Sequence, residues 1–192
     1  MTILHLSDTH GLQERLGAMP PADVIVHSGD FTHSGTEEEV LDFLNWFISL
    51  DYPNKIFVVG NHDLCLWDAE DIEDLPSNVH FLQDRSITID GVKFFGLGYN
   101  HPEELIDPAT DVLITHEPPL EILDYSMGMH WGNLPLRERV ELVKPQLHLF
   151  GHAHESYGTT ERDGIIFSNG SLLDDYNKLV NSPRMIQVSL GR

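Results

Sequence analysis

Short apolar runs recur along the chain, and each is about as long as a β-strand. They are Ile3–Leu6, Val24–Val26, Ile56–Val59, Val112–Ile114 and Leu147–Phe150. The runs are rich in β-branched and aromatic residues and almost lack polar alternation, which is typical of strands buried on both faces of a parallel sheet. The pattern therefore predicts a buried, largely parallel sheet core.

Hairpins and helices complete the predicted elements. Two Asp-Gly turns predict β-hairpins, which join Ser86–Ile89 to Val92–Gly96 and Tyr157–Glu161 to Ile165–Phe167. Thr36 and Glu39 form a capping-box pattern ahead of an amphipathic helix, and a second helix is predicted over Leu136–Val143, with a last strand over Arg184–Val188. Parallel strands joined by helices, followed by hairpins, predict an α/β sandwich of mixed sheets. A length of 192 residues favours a single domain over residues 1–192.

Composition narrows the classes of function. The chain has 11 Lys and Arg against 31 Asp and Glu, a formal net charge of −20, which disfavours nucleic-acid polymers and anionic membranes as partners. Its single cysteine, Cys65, excludes an internal disulfide and zinc sites built from two or more thiolates. No signal-peptide pattern and no apolar run of the roughly 20 residues that span a bilayer is present. We therefore expect a cytoplasmic protein, and its oligomeric state stays open.

Each of the five apolar runs is followed within four residues by Asp, Asn or His that could bind a ligand. In chain order these residues are Asp8 and His10; Asp30; Asn61, His62 and Asp63; His116; and His152 and His154. The carboxyl ends of strands are where ligands bind in open α/β sheets. Oxygen and nitrogen donors without sulfur suit Mn, Fe, Zn and similar divalent ions.

The alternative for each of these residues, taken alone, is a structural role. Asp8 and Asp30 are also explained as turn or capping residues, and His116 or His152 as hydrogen-bonded core histidines. The four-residue sequence that begins at Gly60 is more specific, because chance would produce it in only about one chain in a thousand of this length. If the polar residues after all five runs had only structural roles, five such motifs would have to meet at one sheet edge by coincidence. We therefore predict a metal site there.

Three other histidines serve as a contrast to this set. His5, His27 and His148 lie inside the predicted strands, just before the motifs. We interpret them as packed or hydrogen-bonded core residues and not as metal ligands.

Taken together, the motifs resemble the signature of the calcineurin-like metallophosphoesterases. The matching segments are Asp8-x-His10, Gly29-Asp30, Gly60-Asn61-His62-Asp63, His116 and Gly151-His152-x-His154. Longer segments around Asp30, His116 and His152, and Asn169-x-Ser171, resemble the branch of metallophosphoesterase-domain-containing (MPPED-type) proteins. The resemblance covers nearly the whole chain and implies a sandwich of two mixed β-sheets flanked by α-helices.

The family pattern implies two divalent metal ions, with Mn²⁺ favoured and Fe, Zn, Co or Ni as alternatives. By that pattern one ion is held by Asp8, His10, Asp30 and His154, and the other by Asp30, Asn61, His116 and His152. A carboxylate shared in this way holds two cations about 3.5–4 Å apart. A hydroxide bridging the metals would attack the phosphate, and His62 would stabilise it and protonate the leaving oxygen.

The resemblance thus implies a dimetal phosphodiesterase for a small phosphodiester, with cyclic and linear nucleotides as candidates. The alternatives are a phosphomonoesterase on the same centre and a non-catalytic interaction scaffold. In the wider superfamily an acidic residue a few positions after Gly-Asp orients the general-acid histidine. Here His33 occupies that position, so Asp63 or water is expected to orient His62.

Substrate-binding candidates lie on loops that follow the same sheet edge. They are His33, Trp67, Tyr99, Asn100, His130 and Trp131. Trp67 or Trp131 could stack on a nucleobase, and the alternative for each is local packing beneath a long loop.

Overall fold

The computed structural model describes residues 1–189, which form two mixed β-sheets, a small hairpin and two α-helices. The helices are α1 (Glu37–Ser49) and α2 (Leu134–Val143). The strands are β1 (Thr2–Leu6), β2 (Val24–His27), β3 (Asn54–Phe57), β4 (Val79–Phe81), β5 (Arg85–Ile89), β6 (Val92–Gly96), β7 (Val112–Ile114), β8 (Tyr125–Ser126), β9 (Met129–His130), β10 (Leu147–Phe150), β11 (Gly158–Arg162), β12 (Ile165–Asn169) and β13 (Arg184–Gln187).

The first sheet has the strand order β13-β1-β2-β3-β4 and the second the order β11-β12-β10-β7-β6-β5. In the first sheet β1 to β4 are parallel and β13 is antiparallel to β1. In the second, β6, β7, β10 and β12 are parallel, while β5 and β11 close it as antiparallel hairpin strands. The predicted α/β sandwich of mixed sheets is confirmed.

Three apolar layers hold the sheets and helices together, and two of them cover the two faces of the first sheet. One lies between the two sheets and includes Ile3 and Val24 of the first sheet with Phe94 of the second. The alternate residues of β1 and β2, such as Leu4, face the other way, towards α1. Since successive side chains of a strand point to opposite faces, strands covered on both faces must be apolar at nearly every position. This double burial explains the continuous apolar runs.

The capping box predicted for α1 is present. The Thr36 hydroxyl accepts a hydrogen bond from the Glu39 backbone N–H at 3.3 Å, and the Glu39 carboxylate accepts one from the Thr36 N–H at 3.1 Å. The same carboxylate also accepts hydrogen bonds from the backbone N–H groups of His33 and Ser34. Glu39 therefore anchors the loop that carries His33 to the beginning of the helix.

The structure corrects several boundaries and adds elements. The third strand ends at Phe57, two residues earlier than predicted, because its ladder pairing with β2 and β4 stops there although Val58 and Val59 stay buried. Helix α2 begins at Leu134, because the Asn133 side chain caps it by accepting from Leu136 N–H at 2.9 Å. The last strand ends at Gln187, one residue before the predicted end. Strands β4, β8 and β9 have two or three residues each, too short to give a periodic signal.

The three strand histidines are fully buried and hydrogen-bonded to hydroxyl groups, as predicted. His5 contacts the hydroxyls of Ser168 and Ser28, each at 2.9 Å. The Nε2 atoms of His27 and His148 lie 3.0 and 2.9 Å from the hydroxyls of Thr9 and Thr115, respectively. Burial lowers the pKa of all three rings to about 3.

We expect the protein to lose stability steeply as the pH falls from about 6.5 to about 3. The three pKa values are depressed in the folded state, so His5, His27 and His148 contribute full stability above the unfolded-state pKa of 6.5. That stability disappears as the pH falls towards the folded-state values, because the unfolded chain binds these protons first. Urea unfolding at intervals from pH 7 to pH 4 measures the effect, and His148→Gln should flatten the dependence. A stability independent of pH in this range would contradict it.

In residues 1–189, no helix combines the length and the apolar character required to cross a bilayer.

Candidate metal centre and substrate cavity

The predicted ligands meet at the carboxyl ends of β1, β2, β3, β7 and β10. Four of them have left-handed backbone conformations, with φ of 53° at Asp8, 42° at His10, 56° at Asp30 and 67° at His152. Such conformations cost non-glycine residues on the order of 1 kcal/mol or more each. The chain therefore turns sharply after β1, β2 and β10, and this helps to bring the side chains together across the sheet edge.

Asp30 lies between two groups of ligand atoms. Its Oδ2 atom is 3.7 Å from His10 Nε2 and 3.3 Å from His116 Nε2. Ligand atoms of Asp8, His10 and His154 lie within 4.8 Å of one another, as do those of Asp8, Asp30 and His116. This arrangement suits a carboxylate shared by two cations.

Asn61 and His152 complete the second group. The Asn61 Oδ1 atom is 2.9 Å from both His116 Nε2 and His152 Nδ1. An amide oxygen and two ring nitrogens that converge on one point can all donate lone pairs to a metal ion there.

Backbone carbonyl groups orient three of the ligand histidines. The Nδ1 atoms of His10, His116 and His154 lie 3.0, 2.9 and 3.2 Å from the carbonyl oxygens of Thr32, Ser28 and Asp174, respectively. A carbonyl oxygen only accepts, so each Nδ1 carries the proton and each Nε2 faces the carboxylates. This outer hydrogen bond is the one that metal-binding histidines commonly make.

The buried negative charge of the site fits divalent cations. Asp8 and Asp30 are 0% and 2% exposed, and within residues 1–189 no lysine or arginine forms an ion pair with either. Burial disfavours protonation of His116 and His154, but the neighbouring carboxylates outweigh burial and raise their pKa values to about 10 and about 9. In the absence of metal these histidines compensate the carboxylates as cations, and two metal ions would take over that role.

His62 lies beside the ligands with its ring held in place. Its Nδ1–H donates to the His33 carbonyl oxygen at 2.8 Å, and its backbone N–H donates to Asp30 Oδ1 at 2.7 Å. A ring nitrogen of His62 lies within 4.8 Å of ligand atoms of both His10 and Asp30. The free Nε2 atom is thus available next to the metal centre.

The expectation that Asp63 orients His62 is corrected by the structure. The Asp63 carboxylate accepts hydrogen bonds from the backbone N–H groups of Asp30, Gly60 and Thr32 at 2.8 to 2.9 Å. Both of its oxygens therefore accept hydrogen bonds from loop backbone groups, and the His33 carbonyl orients His62 instead. Burial, with the nearby Asp30 charge, raises the Asp63 pKa to about 7. Asp63 is a positioning residue that ties the loops after β2 and β3 together.

A cavity of about 290 Å³ opens above the ligands. The loops of the first sheet contribute His10, Asp30, His33, Asn61 and His62 to its lining. The loops of the second sheet contribute Ser126, Met127, Trp131, His152, His154, Asp175 and Asn177. Of the predicted substrate-binding residues, His33 and Trp131 line this cavity.

The other four predicted substrate-binding residues are not among those that line this cavity. The Trp67 indole donates to the Gly60 carbonyl at 3.0 Å and packs against Tyr99, with 5.2 Å between ring centroids. Tyr99 and Asn100 line a separate, much smaller cleft on the other side of His116. For Trp67 the alternative of local packing is correct.

His130 is not among the residues that line the cavity, and a buried carboxylate holds its ring. Its Nδ1 atom lies 2.7 Å from Asp124 Oδ1. Conversely, Ser126, Asp175 and Asn177 line the cavity although the sequence did not mark them. They lie on the β8–β9 hairpin and on the segment after β12, where no periodic pattern reveals which side chains point inwards.

Glycine before the ligands allows the loops to approach closely, and we expect Gly60→Ala to weaken metal binding about 10- to 100-fold. A Cβ atom at Gly60 would lie 2.2 Å from Asp30 Oδ1 and 2.5 Å from the Asp30 backbone nitrogen, so the central carboxylate must shift. Calorimetric titration with Mn²⁺ measures the affinity. Gly158→Ala is the matched control, because the nearest atoms there are 3.8 Å away. Equal affinities for both variants would contradict the prediction.

Comparisons with known proteins find a family model and relatives that match most of the chain. The family model described as calcineurin-like phosphoesterase matches residues 1–156. The chain is 33% identical to a UPF0046 protein of Caenorhabditis elegans, covering 95% of this chain and 73% of that protein. It is 32% identical to human metallophosphoesterase domain-containing protein 1, covering 97% of this chain and 71% of the human protein.

A solved structure shares the fold. It is that of a phosphopantetheinyl hydrolase from Mycobacterium tuberculosis, with a TM-score of 0.63 and 14% sequence identity, covering 92% of this chain and 90% of the other. At this identity the likeness concerns the fold alone. The family match and the relatives above 30% identity are decisive, and the chain belongs to the calcineurin-like phosphoesterases, a family of metal-dependent phosphoester hydrolases.

Proposed function

We propose that the protein hydrolyses a small phosphodiester on a centre of two divalent metal ions, with Mn²⁺ as the preferred ion. The observation that carries this proposal is the lining of the cavity by loops from both sheets around one ligand cluster. A phosphodiester has two ester groups, one on each side of the phosphorus. A cavity with two sets of lining residues can receive both groups while the phosphate contacts the centre.

The protein residues have separate tasks in this reaction. When bound, the two metal ions supply Lewis acidity and an activated water. Asp8, Asp30, Asn61 and the four ligand histidines hold that centre rigid. His62 Nε2–H donates its proton to the leaving ester oxygen. The His33 carbonyl keeps the His62 ring oriented through Nδ1–H.

The reaction balances as a simple hydrolysis. The water oxygen forms a new bond to phosphorus as the bond between phosphorus and the leaving ester oxygen breaks. The leaving alcohol gains the proton of His62, which is replaced by one that the water loses. The products are one alcohol and one phosphomonoester.

The charges of the lining support a diester over a monoester. A phosphomonoester carries about two negative charges at neutral pH, whereas a phosphodiester carries one. No lysine or arginine is among the cavity-lining residues in the described part of the chain, and Asp175 adds a carboxylate at the rim. A dianion would therefore have only the metal centre and histidines to compensate it.

Hydrolysis of two aryl phosphates tests the proposal. Metal-free protein is loaded separately with Mn²⁺, Fe²⁺, Zn²⁺, Co²⁺ or Ni²⁺ and assayed with bis(4-nitrophenyl) phosphate and 4-nitrophenyl phosphate. A higher kcat/KM for the diester supports the proposal. A higher value for the monoester would overturn it in favour of a phosphomonoesterase. The absence of hydrolysis with every metal would overturn both and favour an interaction scaffold.

A further inference from the structure

An indole and a carboxylate share one side of the cavity and are joined through Ser126. The Trp131 Nε1–H donates to the Ser126 carbonyl oxygen at 2.9 Å, and the Ser126 hydroxyl donates to Asp175 Oδ1 at 3.2 Å. All three residues line the cavity. Ser126 is itself buried, so it fixes the two outer groups relative to each other.

Met127 extends this surface, and much of it is open to a ligand. Trp131 is 46% exposed and Met127 is 74% exposed, beside the polar metal-ligand cluster. The Met127 backbone has a left-handed φ of 50°, and its N–H donates to the Glu155 carboxylate at 2.7 Å. The surface formed by Met127, Trp131 and Asp175 is called the acidic-aromatic wall below.

The composition of the acidic-aromatic wall selects the charge of its ligand. An aromatic face and a carboxylate both attract cations, and a thioether tolerates the methyl groups of a quaternary ammonium. A second phosphate group would be repelled by Asp175, and no lysine or arginine lines the cavity within the described residues. The wall is therefore complementary to a positive charge on the ester group of the substrate.

We propose that the acidic-aromatic wall binds an ammonium or quaternary ammonium group, so that the substrate is an aminoalkyl phosphodiester. This inference rests on the proposed phosphodiesterase function. The wall belongs to loops of the second sheet and His62 to a loop of the first. The cationic ester group therefore stays on the retained phosphomonoester, and the other ester group leaves towards His62.

A pair of isosteric substrates tests the inference. 4-Nitrophenyl phosphorylcholine carries a quaternary ammonium, and 4-nitrophenyl 3,3-dimethylbutyl phosphate replaces its nitrogen by carbon. Both release 4-nitrophenolate, so leaving-group chemistry cancels. We expect kcat/KM to favour the cationic substrate roughly tenfold, the size that one cation–π contact and one partly exposed charge pair provide together.

Two variants test whether the preference for the quaternary ammonium substrate depends on the acidic-aromatic wall. Asp175→Asn and Trp131→Ala should each reduce the ratio to about threefold or less, because kcat/KM for the choline substrate should fall more than kcat/KM for its carbon analogue. Asp163→Asn makes the same chemical change in an exposed turn away from the cavity and should retain the tenfold ratio. A ratio near one in the unaltered protein would overturn the inference while leaving the phosphodiesterase proposal intact. So would a higher kcat/KM for a cyclic nucleotide than for the cationic diester.

A binding measurement separates the inference from catalysis. Calorimetry on Mn²⁺-loaded protein compares phosphocholine with 3,3-dimethylbutyl phosphate, and neither requires turnover. Tighter binding of phosphocholine that depends on Asp175, without hydrolysis of either diester, would support the wall and overturn the phosphodiesterase function. Equal binding of the two ligands would overturn the inference.

Discussion

Asp30→Asn is expected to lower kcat/KM for bis(4-nitrophenyl) phosphate by at least about 10³-fold at saturating Mn²⁺, since each metal ion supplies several kcal/mol of transition-state stabilisation. The Asp30 carboxylate lies within 3.7 Å of His10 Nε2 and within 3.3 Å of His116 Nε2, between the two ligand groups. An amide carries no charge and bridges two cations poorly. The change should therefore remove one metal ion or both, which elemental analysis of dialysed protein measures directly.

The stability of the metal-free variant separates lost chemistry from lost folding. Asp30 is almost fully buried, and Asn can still accept the His62 backbone N–H that Asp30 Oδ1 accepts at 2.7 Å. Because Asp30→Asn removes the carboxylate that pairs with buried His116, the metal-free Tm should fall, and a cooperative unfolding transition shows that the variant still folds. The Tm increase that Mn²⁺ gives the unaltered protein should shrink in the variant. Asp90→Asn, in the exposed β5–β6 turn, is the matched control. Full metal content in Asp30→Asn would contradict the bridging role.

The fold was predictable where burial imposes a pattern on the sequence. Strands such as β1 and β2 are covered by apolar layers on both faces, so nearly every residue in them is apolar and the runs are evident. The cap of α1 was predictable because it depends on two residues three positions apart. Strand β4 was not, since its three residues pair only with the edge of β3. The β8–β9 hairpin is two residues per strand and largely exposed, so it has no burial pattern to detect.

The metal ligands were predictable because each lies within four residues of the end of a buried strand, and strand ends meet at one sheet edge. Side chains farther along the loops were not, because their direction depends on hydrogen bonds between distant segments. The Trp67 indole is held by its hydrogen bond to the Gly60 carbonyl, and the Asp63 carboxylate accepts hydrogen bonds from three backbone N–H groups. Asp175 lines the cavity through its contact with Ser126, 49 residues away in the chain. No local sequence pattern encodes contacts of this kind.

His62→Ala is expected to lower kcat about 10²- to 10³-fold while leaving the metal content of the protein unchanged. His62 Nε2 is free, since Nδ1–H donates to the His33 carbonyl oxygen, and general-acid catalysis contributes roughly 10²- to 10⁴-fold. The seven ligand side chains that the family pattern implies remain in the variant. His80→Gln, on β4 of the first sheet and outside the cavity lining, controls for the loss of an imidazole and should retain full activity.

The dependence on the leaving group tests what His62 contributes. A leaving 4-nitrophenolate needs little protonation, whereas an alkoxide leaving group needs a full proton as the bond to phosphorus breaks. For His62→Ala, the loss in kcat should therefore grow as the pKa of the leaving alcohol rises across a series of diesters that share the retained ester group. A loss of the same size across the series would mean that His62 positions the phosphate without donating a proton. In that case the proton for the leaving oxygen must come from solvent or from His33, the other cavity-lining histidine outside the ligand set, whose ring centroid lies 6.2 Å from that of His62.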